Sequence, residues 1–164
     1  MNKSAIIVAA LFCCGKTYMT ANSTKYKIID LDAMLNPKQY NKPCTYEHKY
    51  KTPDYIPHIR KYLHCYDFIF IGIKDYVLNS LRNESIDYVL VYPEASLATK
   101  NEWEIRNHIR GTDWLWRDQK NSFFSKIKSL REDTYAKSKY ELHANQYIAD
   151  IIDTIYNENK VWKF

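Results

Sequence analysis

Short apolar segments that alternate with helix-period segments constrain the fold of this chain more than any other feature. Four of them have the length and composition of buried strands, namely "SAIIVAA", "YKIIDLD", "DFIFIGI" and "IDYVLVYP". Two intervening segments, "PDYIPHIRKYLHCY" and "KDYVLNSLRNES", space their apolar residues at helical intervals. Parallel strands need a connection of about a dozen residues, which is usually a helix. The alternation therefore predicts an α/β fold with a mostly parallel sheet of four to five strands.

The other segments fit a single domain over residues 1–164. A long loop is expected over "NPKQYNKPCTYEHKYKTPDY", and the next helix is expected to start at Pro53 with Thr52 as its N-cap. After Pro93 the sequence predicts only helices, in "SLATKNEWEIRNHIRG", "TDWLWRDQKNSFFSKIKSLRED" and "SKYELHANQYIADIIDTIYNEN", with Gly111 ending the first. We interpret residues 95–120 as a lid-like helical segment and residues 121–158 as C-terminal helices.

The segment "AALFCCGKT" follows the first predicted strand directly. A phosphate-binding loop (P-loop) has the pattern G-x-x-x-x-G-K-[ST] between a strand and a helix. Its backbone N–H groups surround phosphate, its lysine reaches the outer phosphates and its hydroxyl binds Mg²⁺. Gly15, Lys16 and Thr17 match the end of the pattern, whereas Ala10 replaces its first glycine and Cys13 stands where another glycine is common. A left-handed conformation at Ala10 would cost about 1 kcal/mol.

This loop predicts a site for ATP and Mg²⁺, in which Lys16 is a candidate catalytic residue and Thr17 a candidate metal ligand. The residues expected to contact the nucleotide are Ala10, Cys13, Cys14, Gly15, Lys16, Thr17 and Tyr18. The alternative is an inherited loop that no longer binds phosphate.

Five segments in order resemble the small P-loop nucleotide-kinase-like proteins of phages and prophages, which are similar to adenylate and other nucleoside monophosphate kinases. They are "AALFCCGKT", "IDLD", "PDYIPHI", "VYPEASL" and "RNHIRG", spread over residues 6–111, and the last two are the most specific. The chain departs from the family in the missing loop glycines and in "IGIKD", where the family has a Ser-His type of segment.

The resemblance implies a P-loop NTPase-type three-layer sandwich with a helical lid. It also implies transfer of the γ-phosphoryl group of ATP to a nucleoside or deoxynucleoside monophosphate, in the host cytoplasm if a phage encodes the chain.

A second substrate is expected beside the P-loop, because ligands of such sheets bind beyond the carboxyl ends of the strands. Asp30 and Asp32 end the second strand, Lys74 follows the third, and Tyr92 and Glu94 flank the end of the fourth. If the second strand stays extended, both aspartates lie on one side of it. Asp30 is then a catalytic and Mg²⁺-binding candidate, and the other four are candidates for the acceptor nucleotide. An aspartate in "LDAM" is equally often only a helix cap.

Arg106 and Arg110 are four residues apart, so they share one face of a helix. Forked guanidinium groups on a lid would stabilise the charge that spreads over the transferred phosphoryl group, which makes both arginines catalytic candidates. The alternatives are a solvated face or ion pairs with Glu102 and Glu104. The nearby aromatic residues are expected to pack in the core or the lid rather than to stack on bases, and they are Trp103, Trp114, Trp116, Phe123 and Phe124.

Composition limits the expected partners. The net charge is +5, from 24 Lys and Arg against 19 Asp and Glu, without the run of like charges typical of nucleic-acid arms. Small nucleotides are therefore the expected partners, and neither a nucleic acid nor a membrane is expected. The four cysteines lack CxxC or zinc-site spacing, as expected in a reduced cytoplasm.

Two alternatives to a nucleotide kinase remain. One is a catalytically impaired nucleotide-binding or decoy protein, and the other is a kinase of nucleic-acid 5′ ends, which the lack of a basic stripe disfavours. The sequence predicts neither the acceptor base nor the oligomeric state.

Overall fold

The structure is a computed structural model that describes residues 4–35 and 54–160. These residues form an α/β fold around one five-stranded sheet in which every paired strand is parallel. The strands are β1 (Ile6–Ala10), β2 (Ile28–Asp30), β3 (Phe68–Gly72), β4 (Val89–Pro93) and β5 (Ser138–Leu142). They are ordered β2-β3-β1-β4-β5, so β1, which leads into the "LFCCGKT" loop, lies at the centre of the sheet.

Eight α-helices accompany these strands in the described residues. They are α1 (Lys16–Asn22), α2 (Leu31–Leu35), α3 (Ile56–Tyr62), α4 (Asp75–Asn83), α5 (Leu97–Arg110), α6 (Asp113–Gln119), α7 (Phe123–Arg131) and α8 (Ile148–Asn159). A short 3-10 turn over Lys120–Ser122 joins α6 to α7. No helix in residues 4–35 and 54–160 is both long and apolar enough to cross a membrane.

Helices cover both faces of the sheet. Every residue of β1, β3 and β4 is buried, which requires cover on each side. Right-handed crossovers place α1 on one face and the connections from β2 to β3, β3 to β4 and β4 to β5 on the other. Helix α8 returns to pack beside α1. The carboxyl ends of all five strands therefore meet at one edge, where the "LFCCGKT" loop begins.

The first four strands, α4 and the end of α5 at Gly111 confirm the sequence predictions. The helix expected from Pro53 instead begins at Ile56, with Tyr55 as its N-cap and Pro57 in its first turn. Thr52 and Pro53 lie outside the described residues, as does most of the expected long loop, over residues 36–53.

The prediction of only helices after Pro93 is wrong for residues 138–147. Ser138–Leu142 forms β5, which pairs with β4 so that Val91 lies opposite Tyr140 and Pro93 opposite Leu142. Lys139 is exposed, Leu142 is fully buried and the other three residues are partly buried, as in a strand at the margin of a sheet. Pairing with an otherwise open sheet edge outweighs the helix propensity of this short polar segment.

Candidate functional site

The loop between β1 and α1 contains two residues in the left-handed region, and Ala10 is not one of them. Ala10 is the buried last residue of β1, opposite Gly72 and Val91 on the neighbouring strands. The left-handed residues are Gly15, with φ of 95°, and Cys13, with φ of 63°. The expected strain at Ala10 is therefore wrong, and the cost of about 1–2 kcal/mol belongs to Cys13.

Three consecutive carbonyl groups of the loop accept hydrogen bonds from the C-terminal half of the chain. Trp103 Nε1 donates to the Phe12 carbonyl oxygen (2.9 Å), and Arg106 Nη1 donates to that of Cys13 (3.1 Å). The backbone N–H of Ile148, at the start of α8, donates to the carbonyl of Cys14 (2.9 Å). Helices α5 and α8 thus hold the same side of the loop.

The N–H groups of the loop point the other way. In a trans peptide the C=O of one residue and the N–H of the next are antiparallel, so the N–H groups of Cys13, Cys14 and Gly15 point away from α5 and α8. Within the described residues, the N–H groups of Cys13, Gly15, Lys16 and Thr17 donate to no backbone acceptor. Successive N–H groups at left-handed turns and a helix N-terminus form a concave anion-binding surface, which we call the nest.

Lys16 brings a positive charge to the nest. Its side chain is only 8% exposed, and its Nζ donates to the carbonyl oxygen of Ala10 (3.1 Å) and lies 3.5 Å from that of Leu11. No ion pair among the described residues includes Lys16. Its charge acts on the nearby carboxylates of Asp30 and Asp32, but in the described residues neither lies within ion-pair distance of Nζ. The burial of this ammonium therefore favours a further, anionic ligand.

Thr17 and Asp30 lie together next to the nest. Thr17 Oγ1 is 3.5 Å from Asp30 Oδ2, while Asp30 Oδ1 accepts a hydrogen bond from the backbone N–H of Ala33 (3.1 Å). Asp30 is therefore the N-cap of α2 and also faces the Thr17 hydroxyl. Burial raises the pKa of the Asp30 carboxyl, and the nearby charge of Lys16 only partly opposes that shift.

Asp32 lies in the first turn of α2, because the strand ends at Asp30 and does not stay extended as assumed from the sequence. Its Oδ1 pairs with Lys74 Nζ (3.1 Å) and accepts a hydrogen bond from the Tyr55 hydroxyl (3.0 Å). Burial alone would raise the pKa of Asp32, but the charges of Lys16 and Lys74 and the two hydrogen bonds outweigh it and lower the pKa. Asp30 and Asp32 are thus shifted in opposite directions.

Gly72 allows the close approach of Asp32 to the end of β3. A Cβ at Gly72 would lie 2.8 Å from Asp32 Oδ2, so only glycine fits there without moving the carboxylate. The ends of β2 and β3 therefore form a second polar centre from Asp32, Lys74 and Tyr55, beside the central strand that leads into the "LFCCGKT" loop.

Arg106 is enclosed and tied to three parts of the structure. It is 7% exposed and lies between the rings of Trp103 and Tyr147, with its guanidinium carbon 4.2 and 3.8 Å from their centroids. Besides its bond to Cys13, it donates to the Gln146 carbonyl (2.8 Å) and pairs with Glu102 through Nε (2.9 Å) and Nη2. The ion pair with Glu102 is one of the alternatives considered from the sequence.

Arg110 lies one turn further along α5 and differs from Arg106 in exposure. Its side chain is exposed, and it contacts the thiol of Cys13. Burial raises the pKa of the Cys13 thiol despite the charges of Arg110, Lys16 and Arg106, and burial raises the pKa of Cys14 to about 12. Both cysteines are thus neutral thiols at physiological pH.

Three candidate residues lie away from the nest or make other contacts. Tyr92 is buried, and its hydroxyl pairs with Arg131 of α7. Glu94 is at the expected edge of the sheet, where its Oε2 is 2.9 Å from His143 Nδ1. Tyr18 is on the outer side of α1 and 67% exposed. Trp103, Trp116 and Phe123 are buried in the core as expected, while Trp114 and Phe124 are partly exposed.

Four residues around the site were not predicted: Tyr55, Gly72, Gln146 and Tyr147. Gly72 had a usable signal, since a glycine inside a buried strand indicates a close approach. The others have none, because they reach the site through the fold. Tyr147 packs on Gly15, where an added Cβ would lie 3.2 Å from its Cδ1.

The residues that could contribute to a metal site at the nest are Thr17 and Asp30. The described residues contain no group of three or more His, Cys, Asp or Glu side chains placed to bind a metal. Mg²⁺ commonly uses one or two protein ligands together with water and substrate phosphates, and Thr17 with Asp30 fits that donor set.

Comparison of the chain with protein-family models, with curated proteins and with solved structures gave no match.

Proposed function

We propose that this protein is a P-loop nucleotide kinase that transfers the γ-phosphoryl group of ATP to a nucleoside or deoxynucleoside monophosphate. The observation that carries the proposal is the buried ammonium of Lys16, which forms no ion pair among the described residues and lies at the nest. In the described part of the chain, the nest N–H groups of Cys13, Gly15, Lys16 and Thr17 donate to no backbone acceptor. A polyphosphate would satisfy both. The parallel sheet, the central position of β1 and the sequence resemblance support a P-loop-type sandwich of the kind found in such kinases.

The residues around the nest have distinct roles in this proposal. The N–H groups of the loop and the N-terminus of α1 bind the β-phosphate, and Lys16 reaches the β and γ oxygens. Arg110, on the exposed side of α5, meets the charge that spreads over the transferred group. An oxygen of the acceptor phosphate bonds to the γ-phosphorus as the bond to the β–γ bridging oxygen breaks, and ADP leaves.

Thr17 and Asp30 would hold Mg²⁺, directly and through water. The metal, when bound, neutralises charge on the β and γ phosphates. Burial raises the pKa of Asp30, and a bound cation would oppose that shift by stabilising the ionised carboxylate that faces Thr17.

The acceptor would bind where β2 and β3 end. Lys74 is the cation available for its phosphate, and Asp32 holds Lys74 in place (3.1 Å) when no acceptor is bound. Asp32 and Tyr55 then supply polar contacts for the sugar. Strand β3 is the neighbour of β1, so donor and acceptor phosphates would meet between adjacent strands.

A nucleotide-binding or decoy protein without turnover is the second candidate. The observation that favours it is the left-handed conformation of Cys13, a strained non-glycine residue in the loop that must surround phosphate. Such a protein would bind nucleotide at the same nest but would transfer nothing.

The test is to incubate the protein with MgATP and a panel of nucleoside and deoxynucleoside monophosphates, and to measure ADP and diphosphate products. Lys16→Ala should abolish both ATP binding and transfer, with the fold intact by circular dichroism. Lys137→Ala is the matched control, because Lys137 is exposed just before β5, at the opposite edge of the sheet. Unchanged ATP affinity in Lys16→Ala would mean that this loop is not the site. If the native protein binds ATP but transfers phosphate to none of the monophosphates, the nucleotide-binding or decoy protein remains as the function.

A further inference from the structure

We propose that Trp103 and Arg106 are positioning residues of the nucleotide site, which hold the glycine-poor loop in its phosphate-binding conformation from outside. This inference rests on the proposed function, because it takes the nest to be the nucleotide site. It assigns Arg106 to the backbone of the loop rather than to the transferred phosphoryl group.

The first observation is the direction of the hydrogen bonds. Both side chains donate to carbonyl oxygens, of Phe12 and Cys13 respectively, on the side of the loop opposite the nest. Because peptide planarity couples each carbonyl to the following N–H, fixing these two carbonyls also fixes the N–H groups of Cys13 and Cys14. The two donors thus set the direction of groups that they do not touch.

The second observation is the conformation that lies between these two hydrogen bonds. Cys13 has φ of 63°, which glycine adopts readily and cysteine does not. The loop must therefore be held in this conformation by contacts elsewhere, and the hydrogen bond from Arg106 to the carbonyl oxygen of Cys13 is such a contact. A glycine at such a position adopts positive φ without this support.

The third observation is the rigidity of Arg106 itself. Its guanidinium is stacked between Trp103 and Tyr147, paired with Glu102 and bonded to the carbonyl oxygen of Gln146, and it is 7% exposed. Moving it toward a nucleotide would break these contacts together. A fixed guanidinium is suited to orienting the loop.

The experiment compares ATP and inorganic triphosphate binding by calorimetry in four proteins: native, Arg106→Ala, Cys13→Gly and the double variant. Arg106→Ala should weaken binding of both ligands by about 5- to 30-fold. This range is the free-energy cost of a left-handed non-glycine residue expressed as a change in affinity. Cys13→Gly should restore much of that loss in the double variant, because glycine adopts the required φ without support. An arginine that touched phosphate directly would show no such rescue.

Trp103→Phe is the second variant, because it removes the Nε1 donor and keeps an aromatic ring over Arg106. It should weaken binding several-fold even if Arg106→Ala does not fold. Trp114→Phe and Arg117→Ala are the matched controls, on exposed positions of α6, and should bind as the native protein does.

The outcomes separate this inference from the proposed function. If the native protein binds ATP, and Trp103→Phe and any folded Arg106→Ala variant bind it with the same affinity, the inference is overturned. The proposed function would still stand. A loss in Arg106→Ala that Cys13→Gly does not restore would also overturn it, in favour of direct phosphate contact. A native protein that binds neither ATP nor triphosphate would overturn both.

Discussion

At the scale of single residues, the two positions where the P-loop pattern lacks glycine should respond to glycine in opposite directions. Cys13→Gly removes the cost of a left-handed cysteine, about 1–2 kcal/mol, against about 0.5–1 kcal/mol of added chain entropy in the unfolded state. It should raise the free energy of unfolding by up to about 1.5 kcal/mol. Ala10→Gly should lower it by about 0.5–1 kcal/mol, because Ala10 is a buried strand residue. Urea unfolding of both variants measures these changes. If both substitutions changed the free energy of unfolding in the same direction, the prediction would be contradicted.

The opposite pKa shifts of Asp30 and Asp32 should give opposite effects of pH on stability. The raised pKa of Asp30 means that the folded protein binds this proton more tightly, so its contribution to stability falls as pH rises through the window between about 3.9 and the raised value. Asp30→Asn, which keeps the helix cap, should therefore stabilise the protein at pH 7 but not at pH 3.

The lowered pKa of Asp32 means that its contribution is present above about 3.9 and is lost as pH falls through the lowered value. Asp32→Asn should therefore destabilise the protein at pH 7, and the deficit should shrink as pH is lowered. Each unit of pKa difference corresponds to about 1.4 kcal/mol. Urea unfolding from pH 3 to 7 measures the stability of both variants relative to the native protein. If both variants were stabilised, or both destabilised, at pH 7, the opposite pKa shifts of Asp30 and Asp32 would be contradicted.

Sequence reasoning identifies residues whose roles follow from local pattern. Gly15, Lys16 and Thr17 occupy the expected turn, and Asp30 caps α2 while its other oxygen faces Thr17. Roles that depend on contacts across the fold are not predictable in this way. The sequence places Arg106 on a helix face, but not between Trp103 and Tyr147.

At the scale of secondary-structure elements, α5 carries two arginines with different expected effects on kinetics. Because Arg110 is exposed and directly precedes Gly111, where α5 ends, Arg110→Ala in the proposed kinase should lower kcat far more than it weakens ATP binding. Arg110→Lys should restore only part of the loss, since lysine lacks the forked donor. Arg106→Ala should mainly weaken ATP binding. Measured kcat and ATP Kd for each variant decide this, and an Arg110→Ala enzyme with weakened binding alone would contradict it.

Elements with strong periodicity were predictable, and a short edge strand was not. The apolar runs of β1, β3 and β4 are continuous, without the alternating polar residues of a strand that has one face in solvent. Burial of these strands on both faces was therefore predictable from their composition. Strand β5 contains Lys139 and Glu141 beside Tyr140, and its identity depends on the hydrogen bonds that β4 offers. The sheet edge that it pairs with is a property of the fold and is absent from the local sequence.

At the scale of the whole molecule, the strand order places the two polar centres side by side. Strand β1 leads into the nest and Lys16, its neighbour β3 leads to Lys74, and β2 beyond it ends beside Asp32. Adjacent strands are about 4.8 Å apart, so a short phosphate chain spans the gap. A kinase needs both centres to be filled at once, whereas a decoy needs only the nest.

A compound with two nucleosides joined by a chain of five phosphates therefore separates the two functions. In a kinase it fills both centres, so at equal concentration it should raise the Tm more than ATP does. Binding at 100 times Kd adds about 2.7 kcal/mol, which corresponds to about 5–10 °C for a chain of this size. Lys74→Ala should remove the extra shift and leave the ATP shift unchanged, while Lys16→Ala should remove both. Equal shifts for the compound and ATP in the native protein would rule out a second nucleotide centre, and the nest would then serve nucleotide capture alone.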